Sequence, residues 1–146
     1  VLAESGVAIR FWKVAMKPGR PLAFGRIGDA LFFGLPGNPN SVMATFYQLV
    51  QPALQALSGL PDPSPPLTMP AVSASALRKK PGRCEFQRGV LSRADDGRLI
   101  VHKTGHQGSG VLSSMAAANC FIVLPEDCGP VSEGDEVTVQ PFAAFV

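Results

Sequence analysis

The chain has 146 residues, 13 Lys and Arg against 11 Asp and Glu, a net charge of +2 and 46% hydrophobic residues. That length excludes a large multidomain enzyme for this chain alone, and its 41 Leu, Ile, Val and Phe, over a quarter of all residues, exclude intrinsic disorder. The 15 Gly and 14 Pro predict short strands and many turns, and Cys84, Cys120 and Cys128 form neither a C-x-x-C pair nor an even disulfide set, which fits a reducing cytoplasm.

From Val7 to Met16, β-branched and aromatic residues without a helical stripe predict a strand, stopped by Lys17-Pro18-Gly19. Two short strands are expected over 22–26 and 31–35. After Gly34-Leu35-Pro36-Gly37-Asn38-Pro39 the period changes: Val42, Phe46, Leu49, Val50, Ala53, Leu54 and Leu57 fall on one helical stripe. Asn38 is the expected cap and Pro39 suits the first helical position, while Pro52 is expected to kink the helix. Asp62-Pro63-Ser64-Pro65-Pro66 reads as a stiff linker, so a boundary is placed near residue 60.

Beyond it, strands are expected at about 67–74, 85–93, 98–103, 120–124 and 136–140, the pattern of a small sandwich or barrel. About 60 residues of strands plus one helix hide only about 60% of their unfolded surface. Residues 1–60 therefore read as the C-terminal half of an α/β domain whose other layers lie upstream of Val1, itself a hint of a fragment or a processed product. The polar and proline interruptions between Ala30 and Pro61 argue against a membrane span.

Two places suit an oxyanion. The turn Gly34–Pro39 leads into a helix start where main-chain N–H groups lack partners, and Lys13 and Lys17 bracket the end of the first strand, the position at which parallel sheets gather ligands. In the second part, Arg93–Arg98 reads as a hairpin turn. A two-residue loop there puts Arg88 opposite Gly105, and a four-residue loop puts it opposite Lys103. Either register sets the guanidinium beside Thr104–Gly110, whose amides and Ser109 hydroxyl suit a tetrahedral oxyanion. His102 and His106 do not share a helical face as a metal pair does. The basic run Arg78, Lys79, Lys80, Arg83 and Arg88, with only Phe86 interleaved, reads as a solvated face or the rim of an anion site rather than a nucleic-acid surface.

Five strings then carry a resemblance across nearly the whole chain: Lys13-Val14-Ala15-Met16-Lys17-Pro18-Gly19-Arg20-Pro21; Gly34-Leu35-Pro36-Gly37-Asn38-Pro39 with Ser41; Phe46-Tyr47-Gln48-Leu49-Val50-Gln51-Pro52; Phe86-Gln87-Arg88-Gly89-Val90-Leu91; and Thr104-Gly105-His106-Gln107-Gly108-Ser109. With them the chain resembles the molybdopterin molybdenumtransferases of molybdenum-cofactor synthesis, relatives of the E domain of gephyrin. Asn40 departs from the valine common at that place.

The resemblance implies that residues 1–60 end a molybdopterin-binding α/β domain and that 61–146 form a C-terminal β-barrel. It implies a transferase that inserts molybdenum from molybdate into adenylylated molybdopterin with release of AMP. Lys13, Lys17, Ser41, Arg88 and Ser109 then correspond to the molybdate cradle, with Lys13, Lys17, Arg88 and Ser109 the catalytic set. Gly34, Pro36, Gly37, Asn38 and Pro39 correspond to the molybdopterin-phosphate loop. The carboxylates for Mg2+ are expected upstream, with no metal ligands in this chain, so the piece alone is expected to be inactive. A cytoplasmic homodimer is implied, with small-molecule substrates, the molybdopterin adenylyltransferase as a partner, and no nucleic acid or membrane. The competing reading is a non-catalytic, gephyrin-like scaffold. The enzyme reading expects Arg88→Ala and Ser109→Ala to abolish molybdate binding while leaving the fold intact.

Overall fold

A computed structural model describes residues 6–60, 65–108 and 112–142. The chain divides into two compact units, Val1–Ser64 and Pro65–Val146.

In the first unit, β1 (Ala8–Phe11), β3 (Ala23–Ile27) and β4 (Ala30–Gly34) form an antiparallel sheet in the order β1-β3-β4, with a bulge in β1 between Ile9 and Phe11. The register sets Phe11 beside Phe24 and Phe24 beside Phe33, and the rings meet in tilted pairs across the strands at 5.4 and 5.0 Å between centroids. The expected long first strand is two pieces, β1 and the short β2 (Met16–Lys17). The sheet is antiparallel, not the parallel arrangement from which a role for Lys13 and Lys17 was read.

The helical run is also divided. The segments α1 (Pro39–Thr45) and α2 (Gln51–Leu57) flank a π-helical turn over Phe46–Val50, closed by Gln51 N–H donating to Phe46 O. Pro52 therefore stands in the first turn of α2, just after the wider turn. The extra residue in the turn shifts the phase of all that follows. Asn40, Ser41, Ala44, Thr45, Tyr47 and Val50 are buried, while Leu54 and Leu57 of the expected stripe are exposed.

In the second unit, β5 (Met69–Ser73), β6 (Cys84–Arg93), β7 (Leu99–Lys103), β8 (Cys120–Leu124) and β9 (Glu136–Pro141) run in the order β6-β7-β5-β9-β8, and β8 pairs back onto β6. The result is a small closed barrel, which removes the sheet edges. β5 and β7 are parallel and the other pairs antiparallel. Ala71, Leu77, Val101, Cys120, Ile122, Leu124, Val137 and Val139 fill it. Gly89 is part of this packing. A Cβ there would lie 2.7 Å from Val101 Cγ2 and 3.0 Å from Ile122 Cγ1, so this place on β6 has no room for a side chain. A short helix, α3 (Leu112–Ala116), was not foreseen.

Candidate functional site

In the first unit the turn into α1 forms as its residues dictate. Asn38 caps the helix, its side-chain oxygen accepting from Asn40 N–H at 3.1 Å and its carbonyl from Val42 N–H at 2.9 Å, with Pro39 opening the helix. Pro36, Asn40 and Ser41 are buried, whereas Gly37 is exposed with open space around its Cα. The Lys17-Pro18-Gly19 turn reaches α1 through Gly19. Its φ is +103°, and a Cβ there would stand 2.5 Å from Thr45 Cγ2, so only glycine fits. Val14 N–H donates to Arg20 O at 3.0 Å and closes the loop that carries Lys17, with Lys13 directly before it. Lys13 and Lys17 are exposed, and the Lys13 ammonium lies 4.8 Å from the ring centroid of Trp12, itself 62% exposed.

In the second unit Arg88 is the hub. The β6–β7 register pairs Gly89 with Lys103 and Arg93 with Leu99, which puts Arg88 opposite Thr104, between the two registers anticipated. The hairpin loop holds five residues, Ala94 to Arg98. Even so, Arg88 meets the predicted loop. Its side chain is 1% exposed; Nε donates to Ser114 Oγ at 2.9 Å, and Nη2 donates to His106 O at 3.1 Å and Gly108 O at 3.2 Å. Among the described residues Nη1 has no acceptor. Burial lowers the guanidinium pKa from its ordinary value, yet an arginine keeps its charge at neutral pH.

The main chain of Arg88 is bound as closely as its side chain. Its carbonyl accepts from Thr104 N–H at 3.0 Å, Thr104 Oγ1 at 3.1 Å and Gln107 Nε2 at 3.0 Å, and its N–H donates to Gln107 Oε1 at 2.8 Å. Thr104, Gln107 and Ser114 were not singled out from sequence as residues of the site. Gln107 stood inside a family string, but nothing in its spacing said that its amide would fold back onto β6.

Ser109 lies outside the described residues. Gly34, Pro36, Gly37, Asn38, Pro39, Ser41, Lys13 and Lys17 belong to the first unit and Arg88 to the second. Of the basic run, Arg78, Lys80 and Arg83 are exposed, but Lys79 is 4% exposed and its Nζ donates to the carbonyls of Lys80, Glu126 and Cys128 at 2.9, 3.4 and 3.3 Å. Lys79 thus ties two loops together, and the reading of the whole run as a solvated face does not hold for it or for Arg88. His102 and His106 are both exposed.

Burial pushes the Cys84 thiol up, with Lys79 pulling the other way, and the Cys120 thiol up to about 11. Neither is the low-pKa thiolate that a cysteine nucleophile requires. Among the described residues no three His, Cys, Asp or Glu side chains gather as metal ligands, so the Mg2+ ion implied by the resemblance finds no fit among them. Among the same residues no helix is long and apolar enough to cross a membrane.

Comparisons with known proteins bear on both units. Residues 70–142 match the family model of the MoeA C-terminal region (domain IV), and residues 2–56 match that of a probable molybdopterin binding domain. The chain is 46% identical over 134 residues to a molybdopterin molybdenumtransferase of Haemophilus influenzae, covering 92% of this chain and 33% of the relative. It is 33% identical over 158 residues to gephyrin of Dictyostelium discoideum, covering 93% of this chain and 22% of that protein. The crystal structure of the molybdopterin biosynthesis MoeA protein from Pyrococcus horikoshii superposes with a TM-score of 0.75 at 29% identity, over 93% of this chain and 33% of that one. The chain thus spans about a third of the length of the curated molybdopterin molybdenumtransferases it matches. With a capped turn and lysine loop in one unit, a barrel with a buried arginine hub in the other, and both matched family models in order, the chain belongs to the molybdopterin molybdenumtransferase (MoeA) family.

Proposed function

We propose that this chain is the C-terminal portion of an enzyme that inserts molybdenum from molybdate into adenylylated molybdopterin and releases AMP. Lys13, Lys17 and Ser41 in the first unit, and Arg88 with Ser109 in the second, are the proposed molybdate-binding residues. Gly34, Pro36, Gly37, Asn38 and Pro39 are the proposed molybdopterin-phosphate loop.

The observation that carries the reading is Arg88. A buried guanidinium that leaves Nη1 without an acceptor among the described residues, at a loop of glycines, matches what a dianion needs: fixed positive charge and donors that hold it without protonating it. Fixing molybdate beside the dithiolene sulfurs supplies proximity, and the cationic groups offset charge that develops as oxo groups are replaced. The homodimer, the molybdopterin adenylyltransferase partner, the cytoplasmic setting and Mg2+ held by upstream carboxylates follow from family resemblance and stay within this proposal.

The test is AMP release from adenylylated molybdopterin with molybdate, by this chain and by the same chain extended upstream. Release by the extended chain alone is expected. Release by neither removes the enzyme reading and leaves the gephyrin-like scaffold.

A further inference from the structure

At Arg88 the barrel runs short of strand. β7 ends at Lys103; the Arg88 carbonyl still takes the Thr104 N–H at 3.0 Å, but the Arg88 N–H on that side lies past the end of the ladder, where an unpaired donor is costly. The Gln107 carboxamide fills the gap like a one-residue strand. Its Oε1 takes the Arg88 N–H at 2.8 Å, and its Nε2 donates to the Arg88 carbonyl at 3.0 Å and to Thr104 O at 2.7 Å. Only this orientation of the amide gives every contact a donor and an acceptor. The same device recurs where β8 begins. Asn119 Oδ1 accepts from Leu91 N–H at 2.7 Å and its Nδ2 donates to Leu91 O at 2.9 Å.

The two clasps differ in what else they hold. Gln107 sits between His106 and Gly108, whose carbonyls receive the Arg88 guanidinium. Its amide therefore ties the backbone of Arg88 to the same loop that grips the side chain, and the two ends of the residue are locked to one another. Asn119 holds main chain alone.

We propose that Gln107 is a positioning residue for oxyanion binding: its two-point clasp on the Arg88 main chain fixes where the guanidinium stands relative to the 104–108 loop. The proposal rests on the oxyanion role given to Arg88 above.

The probe is molybdate. Gln107→Met keeps the side-chain length and removes both bonds to Arg88, together with those to Thr104. The Arg88 amide proton of the variant is expected to exchange with solvent about tenfold faster, and in the upstream-extended chain the KM for molybdate to rise about tenfold while the KM for adenylylated molybdopterin stays unchanged. Gln107→Glu keeps the shape and the acceptor for the Arg88 N–H but sets an acceptor against the Arg88 and Thr104 carbonyls, so the second point of the clasp is lost while the carbonyl keeps its Thr104 donors. It is expected to fold with that amide still protected and to show the same rise in KM for molybdate, so the test does not depend on the methionine variant folding. Asn119→Leu is the control, expected to deprotect Leu91 and leave both KM values alone.

An unchanged KM for molybdate in both Gln107 variants overturns the proposal, as does an equal rise with Asn119→Leu, which reports general loosening of the barrel. If the unmodified extended chain binds no molybdate, the reading of Arg88 as an oxyanion ligand fails and the positioning role falls with it. The exchange rate of the Arg88 amide in Gln107→Met then shows separately whether the clasp exists.

Discussion

Arg88 Nε donates to Ser114 Oγ at 2.9 Å, which joins the middle of β6 to α3 through a side chain that is almost fully buried. This bond makes Arg88 a structural residue as well as a proposed ligand. Arg88→Ala removes the donor to Ser114 and the donor to the His106 and Gly108 carbonyls, so it is expected to cost on the order of 3 kcal/mol of stability in urea unfolding. The expectation that Arg88→Ala leaves the fold untouched is thus revised. Ser114→Ala, which strands one buried charged donor, is expected to cost about 1–3 kcal/mol by the same measurement.

Gly89→Ala is expected to destabilise the barrel by about 1–3 kcal/mol, because its Cβ would press on Val101 Cγ2 at 2.7 Å and Ile122 Cγ1 at 3.0 Å, side chains with no freedom to withdraw. Adding Val101→Ala is expected to return part of that loss. Additive costs in the double variant would show that the clash lies elsewhere.

Gly19→Ala meets two obstacles, a φ of +103° and Thr45 Cγ2 at 2.5 Å. A loss of about 2 kcal/mol or more is expected in thermal unfolding. The companion variant Thr45→Ser removes the methyl but not the backbone strain, so it should recover only part of the difference. Full recovery would make the turn indifferent to the sign of φ.

The Cys120 thiol predicts an alkaline loss of stability. Burial raises its pKa from 9.0 to about 11, with a hydrogen bond to the Leu91 backbone opposing the shift. A raised folded-state pKa means that the fold favours the protonated thiol. Its contribution is therefore complete below pH 9 and is lost as the pH rises from there through about 11, on the order of 2–3 kcal/mol in all. Unfolding free energies of the wild type and Cys120→Ala, measured between pH 8 and 11, should converge as pH rises. Parallel curves would show that the thiol titrates normally in the folded protein.

Much of the barrel was legible because its strands carry their own signals. The expected segments 85–93, 98–103, 120–124 and 136–140 each differ by one residue or less at either end from β6, β7, β8 and β9. Asn38 and Pro39 announced the helix start for equally local reasons, since capping depends on residues within one turn. The π-helical turn was not legible. Pro52 marked an interruption of the helix, but whether a wider turn precedes it depends on what packs against the helix.

The sequence by itself determined the family, the barrel strands, the helix cap and the pairing in kind of Arg88 with the Thr104–Gly108 loop, because motif strings, hydrophobic alternation and capping act over a few residues. Only the tertiary structure decided that Arg88 stands opposite Thr104, that Ser114 receives its Nε, that Gln107 clasps its backbone and that Lys79 is buried. Those outcomes rest on a one-residue choice of register and on where β7 and β8 end, and both are set by how the barrel closes around Val101, Cys120 and Ile122.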